Sequence, residues 1–132
     1  MRSLDTNVLV RLLAADDRRQ LAAVERLVDQ SERQGETLFL CIPVLCELVW
    51  VLTRSYEQNR AQVVSVLEQL LEMGSLRIEQ RDLVERALAA YRSGKGNFPD
   101  YLIGELSRHA GCRDTVTFDK ALRGAPGFTI LE

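Results

Sequence analysis

Histidine occurs once in the 132 residues, at His109. A Ser–His–Asp triad would have to use it, yet no serine lies in the Gly-x-Ser-x-Gly setting of a nucleophile elbow. His109 therefore reads as a surface or helix-end residue. Cysteine is also scarce: Cys41, Cys46 and Cys112 are odd in number, and none sits in a C-x-x-C spacing. That excludes a zinc ribbon or a thioredoxin-like motif. Cys41 and Cys46 lie in an apolar stretch, where a free thiol behaves as a small hydrophobe, and all three are expected to be buried or inert. No apolar run approaches the roughly 20 residues that cross a bilayer. The longest, Leu38 to Thr53, is interrupted by Glu47. Met1-Arg2-Ser3-Leu4-Asp5 has no apolar signal-peptide core, so no membrane association and a cytoplasmic location are expected. Gly94-Lys95-Gly96 is too short for a P-loop.

What is present suits an ordinary soluble domain: 46% hydrophobic and 27% charged residues. A chain of this length can bury enough surface to fold without disulfides or a structural metal. No repeat, low-complexity segment or linker divides it, so residues 1–132 are expected to form a single domain. The net charge of −2 lacks the basic excess of a typical nucleic-acid binder. Setting aside the four acids discussed below leaves +2, so the global charge decides nothing about RNA.

Short apolar runs alternate with amphipathic stretches. Ser3-Leu4 opens a strand ending in Asp5-Thr6-Asn7, and a helix is expected from about Val8. Asp17 suits the cap of the next helix, with its stripe Leu21, Val24, Leu27 and Val28. Leu38-Phe39-Leu40 reads as a buried strand, and Pro43 opens a helix to about Arg54. Val63, Leu67, Leu70 and Leu71 mark another helix, ending near Gly74. Leu76-Arg77-Ile78 reads as a strand, and Asp82 with Glu85 resembles a capping box. A loop at 94–97, a helix from Pro99 to about His109, and strands at Thr115–Thr117 and Phe128–Leu131 complete the chain. This alternation predicts an α/β fold with a mostly parallel sheet. Sites in such sheets lie beyond the carboxyl ends of the strands, where Asp5 and Asp119 fall.

Four carboxylates stand out. Glu47 is the only acid or base between Leu38 and Thr53 apart from two thiols. In apolar surroundings it would need a proton, Arg54 or a cation as compensation; on a helix edge it would simply face water. Asp100 follows Pro99 in the first helical turn, where the dipole alone favours an acid. Gly104 and Ser107 share its face, which permits close approach of a ligand or of another element. Asp5 and Asp119 have capping or turn roles as alternatives. Gathered in one cleft, the four would repel one another unless cations held them, and oxygen-only ligands suit Mg²⁺ or Mn²⁺. Such ions beside a phosphodiester can activate a water and stabilise the departing oxygen.

Four segments carry a resemblance. Leu4-Asp5-Thr6-Asn7-Val8-Leu9, Glu47-Leu48-Val49-Trp50-Val51-Leu52, Asn97-Phe98-Pro99-Asp100-Tyr101-Leu102-Ile103 and Thr115-Val116-Thr117-Phe118-Asp119 resemble, in order, the four acidic motifs of PIN-domain nucleases. The similarity is greatest to VapC-type toxins of toxin–antitoxin pairs. It implies a three-layer α/β/α sandwich around a mostly parallel central sheet. It also implies Mg²⁺- or Mn²⁺-dependent endonucleolytic cleavage of RNA, commonly tRNA or rRNA, with inhibition of translation. On that resemblance Asp5, Asp100 and Asp119 would hold metal directly or through water, and Glu47 would complete the acidic pocket. Water would be the attacking species, with no covalent intermediate. Asn7 and Thr117 would orient the carboxylates.

Two departures from the common pattern, Gly104-Glu105 and Lys120-Ala121-Leu122, remove no ligand. Arg11, Lys95, Lys120 and Arg123 are candidate phosphate contacts, with solvated surface charge as the alternative. The resemblance further implies a cognate antitoxin over the cleft. A homodimer through the Trp50 and Val63–Leu71 helices is expected, unless those residues are core. Two rival readings share the fold class: a PIN-fold scaffold without catalysis, and a receiver-like signalling domain. The latter is disfavoured because the first strand supplies Asp5 alone.

Overall fold

A computed structural model describes residues 1–14 and 16–132. The chain divides into two compact units, Met1–Glu79 and Gln80–Glu132. The expected α/β class is present in both: helices alternate with short strands, and every strand pair is parallel.

The first unit runs β1 (Arg2–Ser3), α1 (Thr6–Leu13), α2 (Arg18–Arg33), β2 (Leu38–Leu40), α3 (Ile42–Arg54), α4 (Arg60–Glu72) and β3 (Leu76–Ile78). Its sheet has the order β1-β2-β3, with Arg2 opposite Leu38 and Leu38 opposite Leu76. Leu38 and Leu40 are fully buried, as a central strand between two neighbours requires. The Leu4 amide donates to the Phe39 carbonyl at 3.0 Å, carrying the pairing one residue beyond β1 and delivering Asp5 to the carboxyl edge of the sheet. Asp17 caps α2, its side chain accepting from the Gln20 amide at 3.0 Å. The α4 stripe Val63, Val64, Leu67 and Leu70 is core, so it is not available as the subunit contact expected of it.

The second unit runs α5 (Arg81–Ser93), α6 (Phe98–His109), β4 (Thr115–Thr117), a short 3₁₀ turn (Lys120–Leu122) and β5 (Phe128–Ile130). β4 and β5 pair in register Thr115–Phe128 to Thr117–Ile130. The expected capping box at Asp82 does not form. Gln80 is the cap residue, held at φ 50°, and Glu85 instead pairs with Arg81 one turn back. Tyr91 and Phe98 meet edge-on at 6.0 Å between α5 and α6. Tyr101 meets Phe128 similarly at 6.3 Å, locking α6 onto β5. Gly104 explains the small-residue face of α6: a Cβ there would lie 2.7 Å from the Phe128 ring. At Gly104 that face makes room for the ring of a neighbouring strand.

Candidate active site

The four acids divide two and two, with Asp5 and Glu47 in the first unit and Asp100 and Asp119 in the second. Three of them share one local construction. Asp5 Oδ1 accepts from the Thr6 amide at 2.8 Å and caps α1, which begins at Thr6, two residues earlier than the apolar stripe alone suggests. Asp100 Oδ2 accepts from the Asn97 amide at 2.9 Å, closing the entry to α6. Asp119 Oδ1 accepts from the Ala121 amide at 2.9 Å and opens the 3₁₀ turn. Capping and ligation were alternatives in the sequence for Asp5 and Asp119, but in the structure capping leaves one oxygen of each carboxylate available. One oxygen of each carboxylate is spent on a backbone N–H, which fixes the rotamer. The other oxygen has no protein partner among the described residues.

Glu47 departs from the apolar setting considered for it. On α3 the residues Pro43, Glu47, Trp50 and Arg54 are exposed, while Val44, Leu45, Leu48, Val49 and Leu52 are buried. Glu47 therefore lies on a solvent stripe and needs no internal compensation. The apolar neighbours in sequence point the other way around the helix. Trp50 keeps its place on that stripe by stacking under Arg54, whose guanidinium carbon lies 5.4 Å from the ring centroid.

Of the two residues expected to orient carboxylates, Thr117 acts on the turn rather than on the acid. Its Oγ1 accepts from the Asp119 amide at 3.0 Å. Asn7 is exposed in the first turn of α1. A residue the sequence did not single out, Thr6, is 7% exposed, and its Oγ1 has no hydrogen-bond partner. An unpaired buried hydroxyl is costly, and this one adjoins Asp5. Glu79 was also missed: just beyond β3, its Oε1 accepts from the Ile42 amide at 2.8 Å and serves the start of α3, where Cys41 gives no side-chain cap. An acid following a strand was the available signal for it.

The four basic candidates differ. Lys95 and Lys120 are exposed. Arg123 is engaged by Glu132. Arg11 is held by Gln20 and by Asp16, the latter at 3.0 Å. Asp16 also accepts from the Tyr56 hydroxyl at 2.8 Å. That hydrogen bond, helped by Arg11, keeps the Asp16 carboxyl below the usual range, and it raises the Tyr56 phenol. Arg11 is thus part of a side-chain network with Gln20, Asp16 and Tyr56. Cys41 and Cys46 are half-buried, and burial pushes the Cys46 thiol up, as expected for an inert group. Cys112 is exposed, against expectation, because it follows the last turn of α6 in a surface turn. His109 is exposed in that last turn, as expected.

Among the described residues, no three His, Cys, Asp or Glu side chains form a group that could hold a metal ion. The donor chemistry at the four positions nevertheless suits a hard divalent cation: all donors are carboxylate oxygens, and Asp5 adjoins a buried unpaired hydroxyl. Among the described residues, no helix is long and apolar enough to cross a membrane.

The PIN domain family model matches residues 3–127. A VapC ribonuclease of Aquifex aeolicus (strain VF5) is 26% identical over 123 residues, covering 93% of this chain and 90% of that protein. A solved structure of VapC20 from Mycobacterium tuberculosis, described as a sarcin–ricin loop cleaving toxin, is 22% identical. It covers 96% of both chains with a TM-score of 0.43. A toxin–antitoxin complex from Klebsiella pneumoniae is 19% identical, covering 98% of this chain and 96% of that one with a TM-score of 0.34.

Proposed function

The chain belongs to the PIN-domain family, and from that premise we propose that it is a metal-dependent endoribonuclease acting as the toxin of a toxin–antitoxin pair. The observation that carries the reading is the match of the family model to residues 3–127, spanning all four acidic motifs. The likeness to the Aquifex VapC ribonuclease over 93% of the chain supports the reaction class. The match also crosses the boundary between the two compact units, which supports reading both as one PIN domain.

We assign Asp5, Asp100 and Asp119 as the residues that would hold the cation, directly or through water, with Glu47 as the fourth acid. Mg²⁺ or Mn²⁺ is the ion that suits all-oxygen donors. When bound, it would supply positive charge at the scissile phosphate and make water a better nucleophile at neutral pH. The chain's own contribution is orientation. Each aspartate is anchored by a backbone N–H, so its second oxygen is presented without a search over rotamers. Thr117 steadies the turn that carries Asp119. Lys95 and Lys120, exposed and near the proposed ligands in sequence, suit contact with RNA phosphates. A tRNA or rRNA substrate, a cognate antitoxin, a cytoplasmic location and a homodimer belong to the same proposal. Of the two helices expected to carry a subunit contact, α3 keeps a solvent-facing stripe and the stripe of α4 is buried.

The test is cleavage of tRNA and rRNA by protein purified free of any partner. Cleavage with Mg²⁺ or Mn²⁺ and none with EDTA is expected. Equal cleavage in EDTA would overturn the metal mechanism. No cleavage of any RNA together with tight binding of one protein would favour a PIN-fold scaffold.

A further inference from the structure

Phe118 is the most exposed large apolar side chain in the described structure, at 76%. Nothing in the fold requires this: burying such a ring would be worth about 1.5–3 kcal/mol. Strand alternation explains its direction. Thr115 and Thr117 of β4, with Phe128 and Ile130 of β5, are half-buried, and Phe128 packs on Gly104 and Tyr101. The other face carries Val116, 52% exposed, opposite Thr129 in the parallel register, with Leu131 48% exposed just beyond β5. Phe118 leaves the strand on that open face, directly before Asp119 and the exposed Lys120. Lys120 has no ion pair among the described residues.

We propose that this face of β4 is a nucleobase platform, on which the Phe118 ring stacks one base of a single-stranded RNA segment. Lys120 takes a phosphate of the same segment, next to the nucleotide presented to Asp119. The inference rests on the ribonuclease reading and deepens it. An aromatic ring raised on an open sheet face beside a cation is a general way to hold unpaired bases. A protein partner fits less well, because the centres of protein interfaces are depleted in charge and Asp119-Lys120 adjoins the ring. Every base has a π-face, so the platform supplies affinity and register rather than sequence choice.

The experiment compares Phe118→Leu, Phe118→Ala and Phe118→Trp with the wild type. Binding of a short single-stranded RNA containing 2-aminopurine is read without divalent ions, by affinity and by quenching of the base. Cleavage with Mn²⁺ is read as KM and kcat. Leucine and alanine are expected to weaken binding roughly 5- to 150-fold, the range for loss of one stacked base. Quenching should be lost with them, KM should rise and kcat should hold. Tryptophan should restore binding and quenching. Because the ring is exposed, the melting temperature should not move. If wild-type protein cuts RNA and Phe118→Leu binds and quenches as the wild type does, the platform is wrong and the ribonuclease reading stands. If wild-type protein neither binds nor cuts RNA, the ribonuclease reading fails and takes the platform with it. If the variants alter only the sedimentation of the protein, the face is a subunit contact and the platform is overturned.

Discussion

Leu4-Asp5-Thr6 and Phe118-Asp119-Lys120 are the same device built twice, with opposite surroundings. In each, a parallel strand runs out and an aspartate caps the next turn through a backbone N–H 2.8–2.9 Å away. Yet Leu4 is 3% exposed where Phe118 is 76% exposed, and a buried Thr6 stands where the second copy has an exposed Lys120. The first aspartate has buried neighbours, and the second stands between exposed ones. The backbone therefore decides where each carboxylate stands, while its neighbours decide what can reach it. Charge follows the same division. Gln80–Glu132 has eight Lys and Arg against seven Asp and Glu, whereas Met1–Glu79 has nine against twelve.

The strongest way to sharpen this comparison is to separate capping from chemistry. Asp5→Asn should lower RNA cleavage on the order of a hundredfold or more, as removal of a charged group from a reacting centre does. Because asparagine caps as well as aspartate, its stability should stay near wild type, while Asp5→Ala should also lose about 1 kcal/mol. Equal unfolding midpoints in urea for the two variants would show that Asp5 does not hold α1. Next in size is Gly104→Val, which drives a side chain into the Phe128 ring and should destabilise by about 1–3 kcal/mol, read as a lower melting temperature. An unchanged melting temperature would mean that α6 and β5 are not packed as described.

Thr6→Val tests the buried surroundings of Asp5. Removing an unpaired hydroxyl should leave stability unchanged or raise it by up to about 1 kcal/mol. A clear loss of stability would mean that Oγ1 has a protein partner in solution. The smallest effect is expected at Asp16, outside the proposed site. Its folded-state pKa is depressed, first of all by Tyr56. Its contribution to stability is therefore present above the unfolded value and lost as pH falls through the folded value. Tyr56→Phe should raise the Asp16 pKa toward its ordinary value, followed by carboxyl NMR titration. An unmoved titration would show that the hydroxyl is not the cause.

Much of this was legible in the sequence because local rules governed it. The 3.6-residue spacing gave α2, α4 and α5, short apolar or β-branched runs gave β2 to β5, and Asp17 capped where a capping residue should. Other features left no periodic signal. Arg11 read as a candidate phosphate contact because its pairing with Asp16 and Gln20, five and nine residues on, follows neither a helical nor a strand period. Glu47 looked enclosed because a one-dimensional apolar run hides the solvent stripe formed by Pro43, Glu47, Trp50 and Arg54. Gly104 stayed ambiguous until the Phe128 ring was seen to occupy its missing Cβ. The capping role of Asp5 and Asp119 was readable, but that of Asp100, and its compatibility with ligation in all three, needed the geometry of individual carboxylate oxygens.

The most direct measurement of the central claim is Mn²⁺ binding by electron paramagnetic resonance to wild type, Asp5→Asn and Asp100→Asn, with circular dichroism confirming that each is folded. The claim predicts that the wild type binds the ion and that either substitution, although in different units, sharply weakens binding. Wild-type affinity for Mn²⁺ in folded Asp5→Asn or Asp100→Asn would contradict it.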